Sequence, residues 1–209
     1  MAEFLKIHPE DPQPRLIKQA AEIVRNQGLI VYPTDSTYAF GCGIGNKDAM
    51  ERIRSIRRLD KDHHFALVCS DLSEIANYAK VDNQAYRLLR TFTPGAYTFI
   101  LQATKQVPKR LQHPKRKTIG IRVPNHPVAQ ALLTELRQPL LSSTLQLPGD
   151  ELPLNEPFTI LETLGHSVDL IINIGTCGLQ VTTMIDLSSE SPQILRSGKG
   201  DTTYFHNLT

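Results

Sequence analysis

Apolar residues at Leu16, Ile17, Ala20, Ala21, Ile23 and Val24 repeat with the period of one helix face, which predicts a helix from Pro14 that stops at Gly28. The next four residues, Leu29-Ile30-Val31-Tyr32, are continuously apolar, as in a strand covered on both faces, and Pro33 closes it. From Pro33 to Gly45 the chain reads as a loop, with Thr34, Asp35, Ser36 and Thr37 followed by Gly41, Gly43 and Gly45. A helix from about Lys47 to Arg58 comes next, with Met50, Ile53 and Ile56 on one face. Strand, polar loop and helix in that order form an arrangement in which open α/β sheets hold ligands.

The alternation continues. Phe65–Cys69, Tyr97–Leu101, Thr118–Val123, Leu140–Ser143, Leu170–Asn173, Met184–Leu187 and Gln193–Arg196 read as strands, and Leu72–Ala79, Asn83–Arg90 and Pro127–Leu136 as helices. This predicts a three-layer α/β architecture. Pro148–Pro157, rich in proline and acidic residues, reads as a surface loop and not as a domain boundary.

At 209 residues, 40% hydrophobic and 21% charged, the chain suits one globular domain, residues 1–209 with a core over about 14–200, and extensive disorder is excluded. A net charge of +2 excludes a globally basic coat, so any anion site must arise from local clustering. Cys42, Cys69 and Cys177 are widely spaced and never form Cys-x-x-Cys, which argues for reduced thiols and against a disulfide framework or zinc ribbon. No stretch resembles a signal peptide or approaches the ~20 apolar residues of a membrane span, so the expectation is a cytoplasmic protein without a membrane partner.

Cations gather in two stretches, Arg52, Arg54, Arg57, Arg58 and Lys61, then Lys105, Lys109, Arg110, Lys115, Arg116 and Lys117, with Arg122 just beyond. Such clusters suit phosphate, although for any single arginine pairing on an exposed helix face, as with Asp48 and Glu51, is the favoured reading. Hydroxyls recur beside strand ends, at Thr34, Ser36 and Thr37, at Ser142, Ser143 and Thr144, and at Thr182 and Thr183. There they can hold phosphate, carboxylate or ribose, or merely cap the local backbone. Neither the phosphate loop Gly-x-x-x-x-Gly-Lys-Ser/Thr nor a dinucleotide fingerprint is present. Adjacent His63 and His64 point in different directions and predict no metal site, and Cys42 reads as packing and not as a nucleophile.

Six blocks in order change the picture: Tyr32-Pro33-Thr34-Asp35-Ser36-Thr37-Tyr38-Ala39-Phe40-Gly41, Thr93-Pro94-Gly95-Ala96-Tyr97-Thr98, Gly120-Ile121-Arg122-Val123-Pro124, Pro139-Leu140-Leu141-Ser142-Ser143-Thr144, Thr182-Thr183-Met184-Ile185-Asp186 and Leu195-Arg196-Ser197-Gly198. Together, over roughly Pro14 to Gly200, they resemble the YrdC family. The resemblance implies a twisted, open, mixed α/β sheet flanked by helices, with a large basic concave face and an association with double-stranded RNA. It also implies the family's best-understood chemistry, in which L-threonine, bicarbonate and ATP give threonylcarbamoyl-AMP and pyrophosphate, the first step of threonylcarbamoyladenosine formation in tRNA. ATP with Mg²⁺ would then be a substrate complex, with no tightly bound cofactor and no protein-held metal.

Family roles carry over to Thr34, Thr98, Arg122, Ser142, Thr183 and Arg196 as nucleotide- and substrate-binding residues, with Arg122 and Arg196 neutralising phosphate or carboxylate. The catalytic motifs depart from the pattern. Lys-x-Arg is here Arg57-Arg58-Leu59, and Ser-x-Asn is here Thr144-Leu145-Gln146, so Arg57, Thr144 and Gln146 stand at the catalytic positions with altered chemistry. These changes resemble the YciO branch. The expectation is a nucleotide- and RNA-binding protein with weak or altered threonylcarbamoyl-AMP synthesis. A working synthase and a non-catalytic RNA-binding module are the alternatives.

Overall fold

Side-chain caps decide where several helices begin. Asn46, Asp71 and Asp82 each accept a bond from the backbone N–H three residues on, at 3.0, 2.8 and 2.8 Å, while Pro14, Pro127 and Pro157 take first helical positions, where no N–H is needed. In this computed structural model the described residues are 1–60, 63, 65–189 and 191–206. Lys61 of the first cationic stretch and His64 of the histidine pair lie outside them.

The elements run β1 (Glu3–Lys6), α1 (Pro14–Arg25), β2 (Ile30–Pro33), β3 (Tyr38–Gly43), α2 (Lys47–Arg57), β4 (Ala66–Val68), α3 (Leu72–Tyr78), α4 (Asn83–Phe92), β5 (Tyr97–Gln102), β6 (Thr118–Arg122), α5 (Pro127–Leu136), β7 (Leu140–Thr144), α6 (Pro157–Leu164), β8 (Leu170–Asn173), β9 (Thr183–Asp186), β10 (Gln193–Arg196) and α7 (Thr203–His206). The glycine-bearing loop predicted over Pro33–Gly45 is mostly strand. β3 pairs antiparallel with β2 on one side and β7 on the other. Its glycine at 41 is needed for packing, since a Cβ there would stand 2.8 Å from the Tyr32 ring. The short edge strand β1 and the helices α6 and α7 were not predicted.

Among the described residues, ten strands form one open mixed sheet in the order β1-β8-β2-β3-β7-β4-β6-β5-β9-β10. β8 enters between β1 and β2 and runs parallel to both. On one face, Phe40, Leu67, Phe99, Leu101, Ile119, Ile121, Leu141 and Ile185 pack under Met50 and Ile53 of α2, Ile75 of α3, Leu88 and Leu89 of α4 and Ile160 of α6. On the other, Ile17, Ala20, Ala21 and Val24 of α1 and Val128, Ala129, Leu132, Leu133 and Leu136 of α5 cover Ile30, Tyr32, Ala39, Leu140, Leu170 and Ile172.

This second layer is incomplete, and the site follows from that. Side chains alternate along a strand, so wherever Leu67, Phe99, Ile121, Leu141 and Ile185 enter the first core, their neighbours point to the opposite face. Those neighbours include Ala66, Thr98, Arg122, Ser142 and Met184, and they line a cavity that α1 and α5 do not reach.

Candidate functional site

The cavity encloses about 100 Å³. Its floor is small and apolar, with Ala39, Ala66, Val68, Ile100 and Gly120, and at Gly120 a Cβ would be crowded to 3.3 Å by Ala66, Phe65 and Thr98. Three guanidinium-bearing residues, Arg57, Arg122 and Arg196, line it together, although they come from the end of α2, the end of β6 and the end of β10.

Arg122 is the most enclosed, at 8% exposure. One Nη donates to Asp35 and to the Ser36 hydroxyl, and the Asp35 carboxylate also accepts the Asn125 backbone N–H at 2.9 Å. Its Nε is buried without a hydrogen-bond partner among the described residues. A buried unpaired donor on a charged group is costly, and a bound anion is the natural acceptor for it.

Arg57 donates from Nε to the Gln146 carbonyl at 3.0 Å and from Nη1 to the Ser143 hydroxyl, with the His63 imidazole 3.5 Å from the same Nη1. Arg196 donates to the Thr182 carbonyl at 3.1 Å and the Thr182 hydroxyl at 3.2 Å. Burial, and after it the charge of Arg196, pulls Arg57 below its ordinary value, and burial and then Arg122 do the same to Arg196. The three cations feel one another, so an anion placed among them relieves repulsion as well as gaining contacts.

The hydroxyls sort by strand parity. The Thr98 hydroxyl lies 2.8 Å from that of Thr182, which joins it to Arg196. Ser142 donates to the Phe40 carbonyl and so takes the proton of Tyr32, 2.9 Å away. Burial pushes the Tyr32 phenol up to about 12, which keeps it a donor. Thr144 and Gln146 also line the cavity, and the Gln146 amide is anchored by the Asp150 carbonyl at 2.9 Å.

Thr34 and Thr183 are not among the lining residues. The Thr34 hydroxyl organises its own turn, donating to the Thr37 carbonyl and accepting from the Ser36 and Thr37 amides. Thr183 points into the other face, where its hydroxyl donates to the Gly200 carbonyl at 2.6 Å and accepts from the Gly198 amide at 2.9 Å. Sequence reasoning named Ser143 and Thr182 among the strand-end hydroxyls able to hold an anion but assigned neither a role in the cleft, and it gave none to Asp35. The adjacent Thr182-Thr183 pair carried the signal, but choosing between them required the parity of β9.

Not all the sequence's arginines converge. Arg52 pairs with Asp169 at 2.7 Å and bonds the Ser167 carbonyl, not the Asp48 expected from helical spacing, because the turn before β8 lies against this side of α2. Arg54 stands near Glu51 at 3.9 Å and over the Phe65 ring at 5.6 Å. The second cationic stretch is exposed on the β5–β6 connection and lines none of the cavity. Among the described residues no group of three His, Cys, Asp or Glu is placed to hold a metal, and no helix is long and apolar enough to cross a membrane.

Comparison with known proteins finds the same fold elsewhere. The family model for Sua5, YciO and YrdC, described as "Telomere recombination", matches residues 22–198. The Escherichia coli protein YciO is 55% identical over 205 residues, covering 98% of this chain and 100% of its own, and its crystal structure superposes with a TM-score of 0.95. The threonylcarbamoyl-AMP synthase of Bacillus subtilis is 28% identical over 92% of this chain and 55% of its own length. Sua5 of P. abyssi, solved with L-threonine, shares the fold at 22% identity and a TM-score of 0.89, over 98% of this chain and 60% of that one.

Proposed function

We propose, because this chain belongs to the Sua5/YciO/YrdC family, that its cleft binds a nucleotide through the phosphates and supports a weak or altered form of threonylcarbamoyl-AMP synthesis. The observation that carries this is the shared cavity of Arg57, Arg122 and Arg196, with the buried Arg122 Nε lacking an acceptor among the described residues. Phosphoryl and acyl-adenylate chemistry needs chiefly alignment and compensation of charge, which three guanidiniums and flanking hydroxyls supply. Mg²⁺ would arrive on the triphosphate, since no carboxylate is among the described lining residues.

The alteration centres on Arg57 and Leu59. Arg57 spends two of its donors on Gln146 and Ser143, and Leu59 packs against the hydrophobic core and brings no cation to the cleft. A fork held by the protein differs from the mobile ammonium of the Lys-x-Arg pattern. Pyrophosphate release with MgATP, L-threonine and bicarbonate tests the reading. Slow, threonine-dependent turnover supports it, and synthase-like saturable turnover instead makes the chain a working synthase.

RNA is a second reading, carried by a different surface. Lys105, Lys109, Arg110, Lys115, Arg116 and Lys117 are all exposed on one connection, and Arg116 is tied to the buried Asp186 at 2.9 Å. Such a strip suits the backbone of a structured RNA. Binding that weakens steeply with salt supports it, and a flat salt response removes it.

A further inference from the structure

Where the Lys-x-Arg pattern has its second cation, Leu59 packs against the core and brings no charge to the cleft. A little further along the same connection, His63 does line the cavity. The imidazole is half-buried, its ring stands edge-on to Phe65 at 5.6 Å and 88°, and its Nε2 lies 3.5 Å from Nη1 of Arg57. Its backbone N–H donates to the Asp60 carbonyl at 3.0 Å, which closes the turn that carries it. The charged groups around the ring are Arg57 at the end of α2, Arg122 and Arg196 in the same lining, and the exposed Asp60 on its own turn.

A guanidinium only donates, so the ring nitrogen turned toward Arg57 is an acceptor and carries no proton. Beside three fixed cations the neutral imidazole is also the form that electrostatics favours. A polyphosphate entering among them inverts that balance. The imidazolium then gains an anion, and the same Nε2, once protonated, can donate to a phosphate oxygen. We propose that His63 is a phosphate ligand of this cleft that becomes a cation only as the nucleotide binds, and so stands in for the charge lost at Leu59. This rests on the nucleotide-binding reading of the same site. Because the bound anion favours the protonated ring, the contribution is present below the pH at which the bound imidazolium titrates and is lost as pH rises through it.

Calorimetric titration of the full chain with the non-hydrolysable ATP analogue AMP-PNP and Mg²⁺ tests the proposal, in buffers of different ionisation enthalpy so that protons taken up on binding are counted. At pH 7 the parent protein should take up about half a proton per nucleotide more than His63→Gln. The affinity lost in His63→Gln should be roughly tenfold at pH 6 and shrink to within about twofold at pH 8.5. His63→Arg, whose charge is permanent, should show no excess uptake and hold its affinity advantage over His63→Gln at pH 8.5. Equal uptake in the parent and His63→Gln overturns the proposal, as does a loss of affinity that is the same at both pH values, which would make His63 only a prop for Arg57. AMP-PNP binding without the excess uptake sinks only the role of His63, whereas absence of AMP-PNP binding to the parent sinks the nucleotide reading as well.

Discussion

Arg122, at the end of β6, and Asp35, in the turn between β2 and β3, form an ion pair almost closed to water, with side chains 9% and 10% exposed. The internal carboxylate occupies one edge of the guanidinium and leaves Nε for another acceptor. Removing Asp35 therefore acts in two directions. Asp35→Ala strands a buried cation, at a cost of roughly 3–5 kcal/mol, which at this length lowers Tm on the order of 10 °C. Added pyrophosphate should restore more of that loss than it adds to the parent protein. An equal pyrophosphate-induced rise in both proteins, measured by scanning calorimetry, would show that Arg122 does not face the anion.

Arg122→Ala should weaken AMP-PNP binding by about 2 kcal/mol, roughly thirtyfold. Arg122→Lys should lose part of this, because an ammonium keeps the charge and not the fork. Calorimetric Kd values for the three proteins decide it, and an unchanged Kd for the alanine variant takes Arg122 out of the site.

Restoring the family pattern should restore chemistry. Arg57→Lys combined with Leu59→Arg is expected to raise threonine- and bicarbonate-dependent pyrophosphate release at least tenfold. Because Leu59 packs against the core, the same protein should melt earlier, with a loss of about 1–3 kcal/mol. A double variant that stays folded with unchanged turnover shows that the motif change is not what limits the reaction.

The exposed cations of the β5–β6 connection are separable from the cleft. Lys115→Ala with Lys117→Ala should flatten the dependence of log K for double-stranded RNA on log salt by about one to two units while AMP-PNP binding is retained. An unaltered slope would place the RNA contact elsewhere.

The thiols give a pH-dependent prediction. Burial pushes Cys42 up to about 12 and Cys177 up to about 11, and pushes Cys69 up as well. The thiolate is the reacting form, so at pH 8 the folded protein should react with iodoacetamide far more slowly than the unfolded chain, with Cys177 gaining reactivity first as pH rises. Fast modification of Cys42 in the native protein would contradict its place in the core.

Much of this molecule is legible from its residues because the signals are redundant. The helix over Pro127–Leu136 has its proline, its period and its apolar face, and it forms with those bounds. β3 was hidden because three glycines in a short run are the mark of a loop, whereas here one of them makes room for the Tyr32 ring. α6 starts on Glu156 and Pro157, inside a stretch whose prolines and acids resemble a turn. Within the cleft, Arg57, Thr98, Arg122, Ser142, Thr144, Gln146 and Arg196 were named from the family pattern and share the cavity. Thr34 and Thr183 were named on the same grounds and spend their hydroxyls on nearby backbone, which only the parity of the strand and the closure of the turn could reveal.

The position of β8 has a bearing on how the protein is made. Among the described residues Glu3 to Lys6 pairs only with Leu170 to Asn173, so this strand has no sheet neighbour until the long stretch of chain between the two has been synthesised. At roughly 5–20 residues per second that interval lasts on the order of ten seconds or more. During it the nascent sheet lacks one of its borders, and its closure is a late event set by translation and not by local hairpin formation.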